Sequence, residues 1–270
     1  MSASRAGLAP SGALIRCRFD PRFSYALAVP AVLPARGLLV TVHNSVRWYR
    51  QCMEGFCAFA ERRGLAVLAP LFPPDLFGED NPDGYKCLLE RDVRYDLVLE
   101  AMVGEVAKDL GGAPDRFLLH GYSGGAQFVH RYLFVHPQRV VAAAIGAPGA
   151  VTLLDGDVDW WAGVRDLPER FGSSIDLRAL RQVPIQLVVG DGDTEVAPLR
   201  EQPPSRFWRS DAERLGANRI DRLRALQRSL TAVQVETEFE LMPGISHGEG
   251  DGLSIRLAER LFGQVLGSPG

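Results

Sequence analysis

An apolar run at residues 117–119 stops at Gly121, Tyr122, Ser123, Gly124 and Gly125, after which apolar residues recur at Ala126, Val129 and Leu133. The run suits a buried strand and the recurrence has helical spacing, so the five residues between them must turn the chain sharply from strand into helix. So abrupt a turn forces its central residue into a strained backbone conformation, and flanking glycines relieve the crowding. Ser123 is thereby predicted to stand exposed at the helix N-terminus. There its hydroxyl faces unpaired backbone N–H groups, and the helix dipole favours any oxyanion that forms. Ser123 is the candidate nucleophile.

The rest of the chain alternates in the same way. Near-continuous apolar runs at 37–42, 65–69, 140–145, 184–189 and 235–241 read as strands, the first of them buried on both faces. Helices are predicted over 51–63, from near Arg91 with Val98, Met102, Val106 and Leu110 on one face up to the Gly111 and Gly112 pair, and around Ile220, Leu223, Leu230 and Val233. A last helix carries Leu253, Leu257, Leu261 and Val265 on one stripe. Segments 13–18 and 23–29, separated by Asp20 and Pro21, read as an antiparallel pair at one sheet edge. Residues 70–85 are too rich in Pro, Gly, Asp and Asn for regular structure, and 147–183 reads as a loop region with at most a short lid. This alternation predicts an α/β class fold: a mostly parallel sheet of about eight strands with helices on both faces and ligands at the strands' carboxyl ends.

With 270 residues, 46% of them hydrophobic, the chain suits one domain over 1–270, with 1–10 as a loose leader. A net charge of -3 gives no reason to expect nucleic acid or an anionic membrane as partner. No apolar stretch is long enough to span a bilayer and no export signal is evident, so a soluble, cytoplasmic protein is expected. Cys17, Cys52, Cys57 and Cys87 lack metal or redox spacing and are expected to be reduced thiols.

A serine hydroxyl needs a base within reach, and that base needs an acid to hold its tautomer. His43 and His120 precede Ser123, while His130 and His136 lie on the elbow helix, pointing away from its N-terminus. The order nucleophile, acid, base that accompanies such an elbow leaves His247, in the loop after the last strand, as candidate base. Asp191, Asp193 and Glu195 follow the strand at 184–189, and Asp193 is the preferred acid, with Asp191 the alternative. An oxyanion needs the Gly124 N–H and a second donor, and Ser45 or Asn44, after the strand at 37–42, is placed to supply it. Tyr122, Trp48, Trp160 and Trp161 are candidate walls of a substrate pocket. Asp155, Asp157 and Asp159 are spaced like the start of a calcium loop, but Trp160 stands where that loop needs glycine, so no metal is expected.

GYSGG at 121–125, GDGDT at 190–194 and SHG at 246–248 resemble the elbow, acid loop and histidine loop of serine esterases of the α/β-hydrolase superfamily, most closely the group similar to polyhydroxybutyrate depolymerases and feruloyl esterases. GANRIDR at 216–222 is similar to a segment found before the last helix and strand of such proteins. The resemblance implies an α/β-hydrolase fold with a Ser123, Asp193, His247 triad and Gly124 with Ser45 at the oxyanion hole. One departure is that His43 is followed by Asn44 where those proteins usually carry glycine, which narrows the hole or adds an amide donor.

The expected function is hydrolysis of an ester or thioester of a small organic acid through an acyl-enzyme, with a small-molecule substrate and no cofactor. The alternatives are peptide or amide cleavage, or acyl transfer, on the same triad, and a degenerate hydrolase fold that only binds a ligand.

Overall fold

The computed structural model describes residues 12–79, 81–110, 115–196 and 212–267. The expected leader at 1–10 and the Gly111 and Gly112 helix end lie outside the described residues. Strands that are apolar on both faces need cover on both sides, and the chain supplies it with helices between them. In chain order the elements are β1 (Leu14–Arg16), β2 (Ser24–Ala28), β3 (Gly37–Val42), α1 (Tyr49–Arg63), β4 (Leu65–Leu71), β5 (Leu89–Glu90), β6 (Val93–Arg94) and α2 (Tyr95–Asp109). There follow β7 (Phe117–Tyr122), α3 (Gly124–Val135), β8 (Val140–Gly146), α4 (Leu167–Phe171), α5 (Leu177–Leu180), β9 (Ile185–Gly190), α6 (Arg219–Ala232), β10 (Thr237–Met242) and α7 (Gly250–Leu266).

Eight strands form one sheet in the order β1-β2-β4-β3-β7-β8-β9-β10. The β1–β2 and β2–β4 pairs are antiparallel and all others in this sheet are parallel. Side chains alternate across it: Leu38, Val40 and Val42 of β3 join the core beneath α2 and α3, while Leu39 joins the core of α1 and α7, with Met53, Phe56, Ala258 and Phe262. From β3 the chain runs outward to β4, whereas β7 pairs on the opposite side of β3. The loops leaving β3 and β7 therefore diverge at their carboxyl ends and open a crevice there.

Four expectations need correction. First, β4 continues past Ala69 through Pro70 to Leu71. Proline is tolerated because the described β3 pairing reaches only Leu68, and beyond it β4 is paired through β2, Tyr25 opposite Pro70. Second, α2 starts at Tyr95, not near Arg91, because 89–94 folds back as the β5–β6 hairpin with Arg91 at a φ of 53°. Third, the loop after β4 is not wholly irregular, since Gly84–Cys87 forms a 3-10 turn. Fourth, the buried face of α7 is centred on Ile255, Ala258 and Phe262, while Leu253, Leu257 and Val265 flank it half-buried.

The long segments after β4 and β8 are held by the body of the protein. Phe72 stacks on Tyr85 and on Phe128 of α3, with ring centroids 5.5 and 5.1 Å apart, and meets Tyr95 edge-on. Arg131 of α3, fully buried, donates to the Lys86 carbonyl at 2.7 Å and to the Thr152 hydroxyl at 2.8 Å, fastening both segments to one helix. Among the described residues no helix is long and apolar enough to cross a membrane.

The approach of α3 to the sheet is the tightest constraint. A Cβ on Gly125 would lie 2.1 Å from the Val42 carbonyl oxygen, and one on Gly121 would lie 2.4 Å from the Gly125 carbonyl carbon. Gly125→Ala is expected to destabilise the fold by about 3 kcal/mol, the upper range for overpacking against backbone. Gly104→Ala on α2, where a Cβ meets nothing within 4 Å, is expected to stabilise it by about 0.5–1 kcal/mol. Urea denaturation of the two variants measures both signs.

Candidate active site

The chain leaves β7 at Tyr122 and enters α3 at Gly124, leaving Ser123 with φ 54° and ψ -114°. Such a backbone costs on the order of 1–3 kcal/mol and survives only where neighbours over-determine it. Here the Ser123 N–H donates to the Gly146 carbonyl of β8 at 2.7 Å, holding the elbow to the next strand. A Cβ on Gly124 would lie 2.4 Å from Tyr85 Oη, 2.9 Å from Ser45 Oγ and 3.0 Å from Ser45 N. The first amide of α3 is therefore crowded close to the loop after β3. Neither the Gly124 nor the Ser45 N–H donates to an acceptor among the described residues.

His247 arrives from the other side of the crevice. It follows β10 and opens a short 3-10 turn whose start is shaped by Ser246, with its N–H and hydroxyl 3.1 and 2.9 Å from a Glu249 carboxylate oxygen. His247 Nε2 lies 3.0 Å from Ser123 Oγ, and Nδ1 lies 2.7 Å from Asp193 Oδ2. A carboxylate only accepts, so Nδ1 carries the proton and Nε2 is free to accept from the serine hydroxyl. Tyr122 supports this ring: its hydroxyl donates to the His247 carbonyl at 2.9 Å, and the two rings stack with centroids 5.4 Å apart.

Asp193 and Asp191, left open by the sequence, have different partners. Asp191 Oδ1 accepts from the Gly244 N–H at 2.8 Å and braces the loop after β10. Asp193 is buried, and its second oxygen accepts from Arg219 Nη1 at 2.9 Å. Burial pushes the Asp193 carboxyl up, but His247 and Arg219 outweigh it and hold the group below its ordinary value. Arg219 had no role in the sequence reading. The sequence carried at most a weak signal, an arginine at the first position of α6, where the helix dipole disfavours a cation.

Other expected site residues are placed differently. The side chain of Asn44 does not aim at the oxyanion position, because Nδ2 donates to Asp251 Oδ2 at 3.0 Å and Oδ1 accepts from the Val46 N–H at 3.1 Å. Tyr122 is buried beneath His247, which it buttresses. Trp160 is buried in packing, with its ring against Phe171 and its N–H donating to the Cys87 carbonyl at 3.0 Å. Trp161 lies under the Arg131 guanidinium, and Trp48 is exposed at the start of α1. Among the described residues no cluster of His, Cys, Asp and Glu is arranged to hold a metal ion.

The Arg219–Asp193 contact makes a prediction. The depressed carboxyl contributes stability above its unfolded-state pKa and loses it as pH falls through the lower folded-state value. Arg219→Met leaves Asp193 Oδ1 buried without its donor and is expected to cost about 3 kcal/mol at pH 7. The deficit should narrow as pH falls, because Asp193, left with His247 as its only partner of the two, takes up its proton at a higher pH than in the wild type. Urea denaturation of both proteins at pH 7 and at lower pH checks this, and a constant deficit refutes it.

No protein-family model matches the sequence, and no curated protein matches it significantly. Solved structures do match. A poly(aspartic acid) hydrolase-1 from Sphingomonas sp. KT-1 superposes with a TM-score of 0.72 at 19% identity, covering 94% of this chain and 99% of the other. A poly(3-hydroxybutyrate) depolymerase from Bordetella parapertussis gives 0.70 at 20% identity, over 90% and 84% of the two chains. An S-formylglutathione hydrolase from Agrobacterium tumefaciens gives 0.57 at 13% identity, over 92% and 90%. Likeness at such identities speaks for architecture, and together with the sheet order it establishes that this chain has the α/β-hydrolase fold.

Proposed function

We propose that the protein is a serine hydrolase that cleaves an ester or thioester of a small organic acid through an acyl-enzyme. The observation that carries this reading is the unbroken line from Ser123 Oγ through His247 to the buried Asp193, beginning at a strained elbow. Backbone strain of that kind clusters at active sites, where it is part of the mechanism.

In this reading His247 Nε2 takes the Ser123 proton as Oγ attacks the acyl carbon, and Asp193 holds the Nδ1–H and stabilises the imidazolium. The oxyanion accepts from the Gly124 and Ser45 N–H groups, whose lack of an acceptor among the described residues leaves them prepared for it. His247 then returns the proton to the leaving alcohol or thiol. Water, deprotonated by the same imidazole, attacks the acyl-enzyme and releases the acid and Ser123.

A second reading, amide cleavage on the same groups, is favoured by the likeness to a protein named for hydrolysing poly(aspartic acid). Matched ester, thioester and amide substrates bearing one acyl group separate the two by their kcat/KM values.

A fluorophosphonate probe is expected to modify Ser123 stoichiometrically in the wild type and to fail with Ser123→Ala or His247→Ala. Turnover of the preferred substrate should fall by about 10⁴-fold or more in Ser123→Ala, with its thermal unfolding unchanged. Intact mass, peptide mapping and a thermal melt measure these, and full turnover in Ser123→Ala refutes the reading.

A further inference from the structure

Asp251, the second residue of α7, directs its carboxylate toward the loop that leaves β3. Asn44 Nδ2 donates to its Oδ2 at 3.0 Å, while its Oδ1 is buried without a hydrogen-bond partner. A half-satisfied carboxylate is costly, so its retention asks for a return elsewhere. Burial pushes this carboxyl up, against the pull of Asn44 and His247. Cys52 of α1 and Tyr122 at the end of β7 also feel its charge.

Asn44 is the hinge of the arrangement. Its side-chain oxygen accepts from the N–H groups of Val46 and Trp48 at 3.1 and 3.4 Å, winding the loop around Ser45 into the start of α1. One side chain thus shapes the loop carrying Ser45 and fastens it to the helix that follows His247. Glycine at this position would have no side chain to do either.

A buried ladder anchors the same corner to the sheet. Ser254 Oγ donates to the Asp251 carbonyl at 2.8 Å and lies 3.3 Å from His120 Nε2, while His120 Nδ1 lies 3.0 Å from Thr41 Oγ1. The Ser254 proton is committed to the carbonyl, so His120 donates from Nε2 and accepts from Thr41 at Nδ1. Burial holds His120 neutral, with its pKa lowered to about 3. Strand β3, strand β7 and helix α7 are thereby joined directly beneath the loop.

We propose that Asp251 and Asn44 are positioning residues that fix the Ser45 amide relative to His247, so that an oxyanion donor and the base are held as one unit. The inference rests on reading Ser123, His247 and Asp193 as catalytic groups with Gly124 and Ser45 as oxyanion donors. Asp251→Ala lowers kcat about 30-fold with KM little changed, less than the roughly 10²–10³-fold loss of a whole oxyanion donor. Asp251→Asn restores most of it, because its amide oxygen still accepts from Asn44. Asn44→Gly removes the contact from the other side and reproduces the loss, and the double variant Asn44→Gly with Asp251→Ala is no slower than the slower single variant.

The test combines steady-state kinetics with amide hydrogen exchange on the wild type and these variants. Exchange at Val46 and Trp48 is expected to quicken about tenfold in Asp251→Ala, the size of one lost hydrogen-bond constraint, and to stay near wild type in Asp251→Asn. Wild-type kcat in both Asp251→Ala and Asn44→Gly, or unchanged exchange at Val46 and Trp48 in Asp251→Ala, overturns the proposal. Wild type that is folded yet unreactive to the fluorophosphonate probe overturns the hydrolase reading instead, and the exchange rates then decide the clamp by themselves.

Discussion

The close approach of α3 to β3 and β7 is the constraint on which the remaining structure depends. With no side chain at Gly121 or Gly125, the helix comes so near the sheet that even a methyl group would overlap backbone. That approach makes the turn at Ser123 abrupt, and the abrupt turn lifts its hydroxyl clear of the sheet. Moving α3 outward by the width of a methyl group would relax the elbow and carry the Gly124 amide away from Ser45. Packing density and site geometry are therefore one problem here, solved by the same glycines.

Buried neutral histidines do much of the remaining positioning. His43 accepts from the Phe72 N–H at 3.1 Å and lies 2.8 Å from the Asn44 carbonyl, linking the ends of β3 and β4. His130 lies 2.8 Å from the Ala126 carbonyl and accepts from the Thr152 N–H at 3.0 Å, linking α3 to the segment after β8. Burial lowers the pKa of both, so each is a neutral ring with one donor and one acceptor, matched to two backbone groups that would otherwise be unsatisfied. His247 differs by lying at the crevice, where its two nitrogens meet a hydroxyl and a carboxylate instead of backbone.

The fold was legible because its signal is local and repeated. Strand β3 is read at its observed bounds, and α1, β7, α3 and β8 lie close to where the apolar runs and helical spacing put them. The misplacements have identifiable causes. Pro70 and the start of α2 were misread because pairing partners decide where a strand or helix ends, and a partner distant in sequence leaves no mark on the segment itself. The packing of Tyr122 against His247 and of Trp160 against Phe171 was hidden for a related reason: an aromatic residue suits a cavity wall and a packed core equally well, and only its neighbours separate the two.

The sequence by itself determined the alternation of strands and helices, the elbow at Ser123 and the short set of residues from which a base and an acid had to come. Periodicity and turn chemistry are properties of a few consecutive residues, so they survive in a one-dimensional reading. Only the tertiary structure decided that Asp193 faces His247 while Asp191 braces Gly244, that Arg219 pairs with Asp193, and that Asn44 reaches Asp251 across the crevice. Those choices join residues 26, 53, 54 and 207 positions apart. They follow from how the sheet brings separate loops to one edge, where burial makes the unpaired charges and donors of Asn44, Asp193 and Arg219 seek the nearest partner.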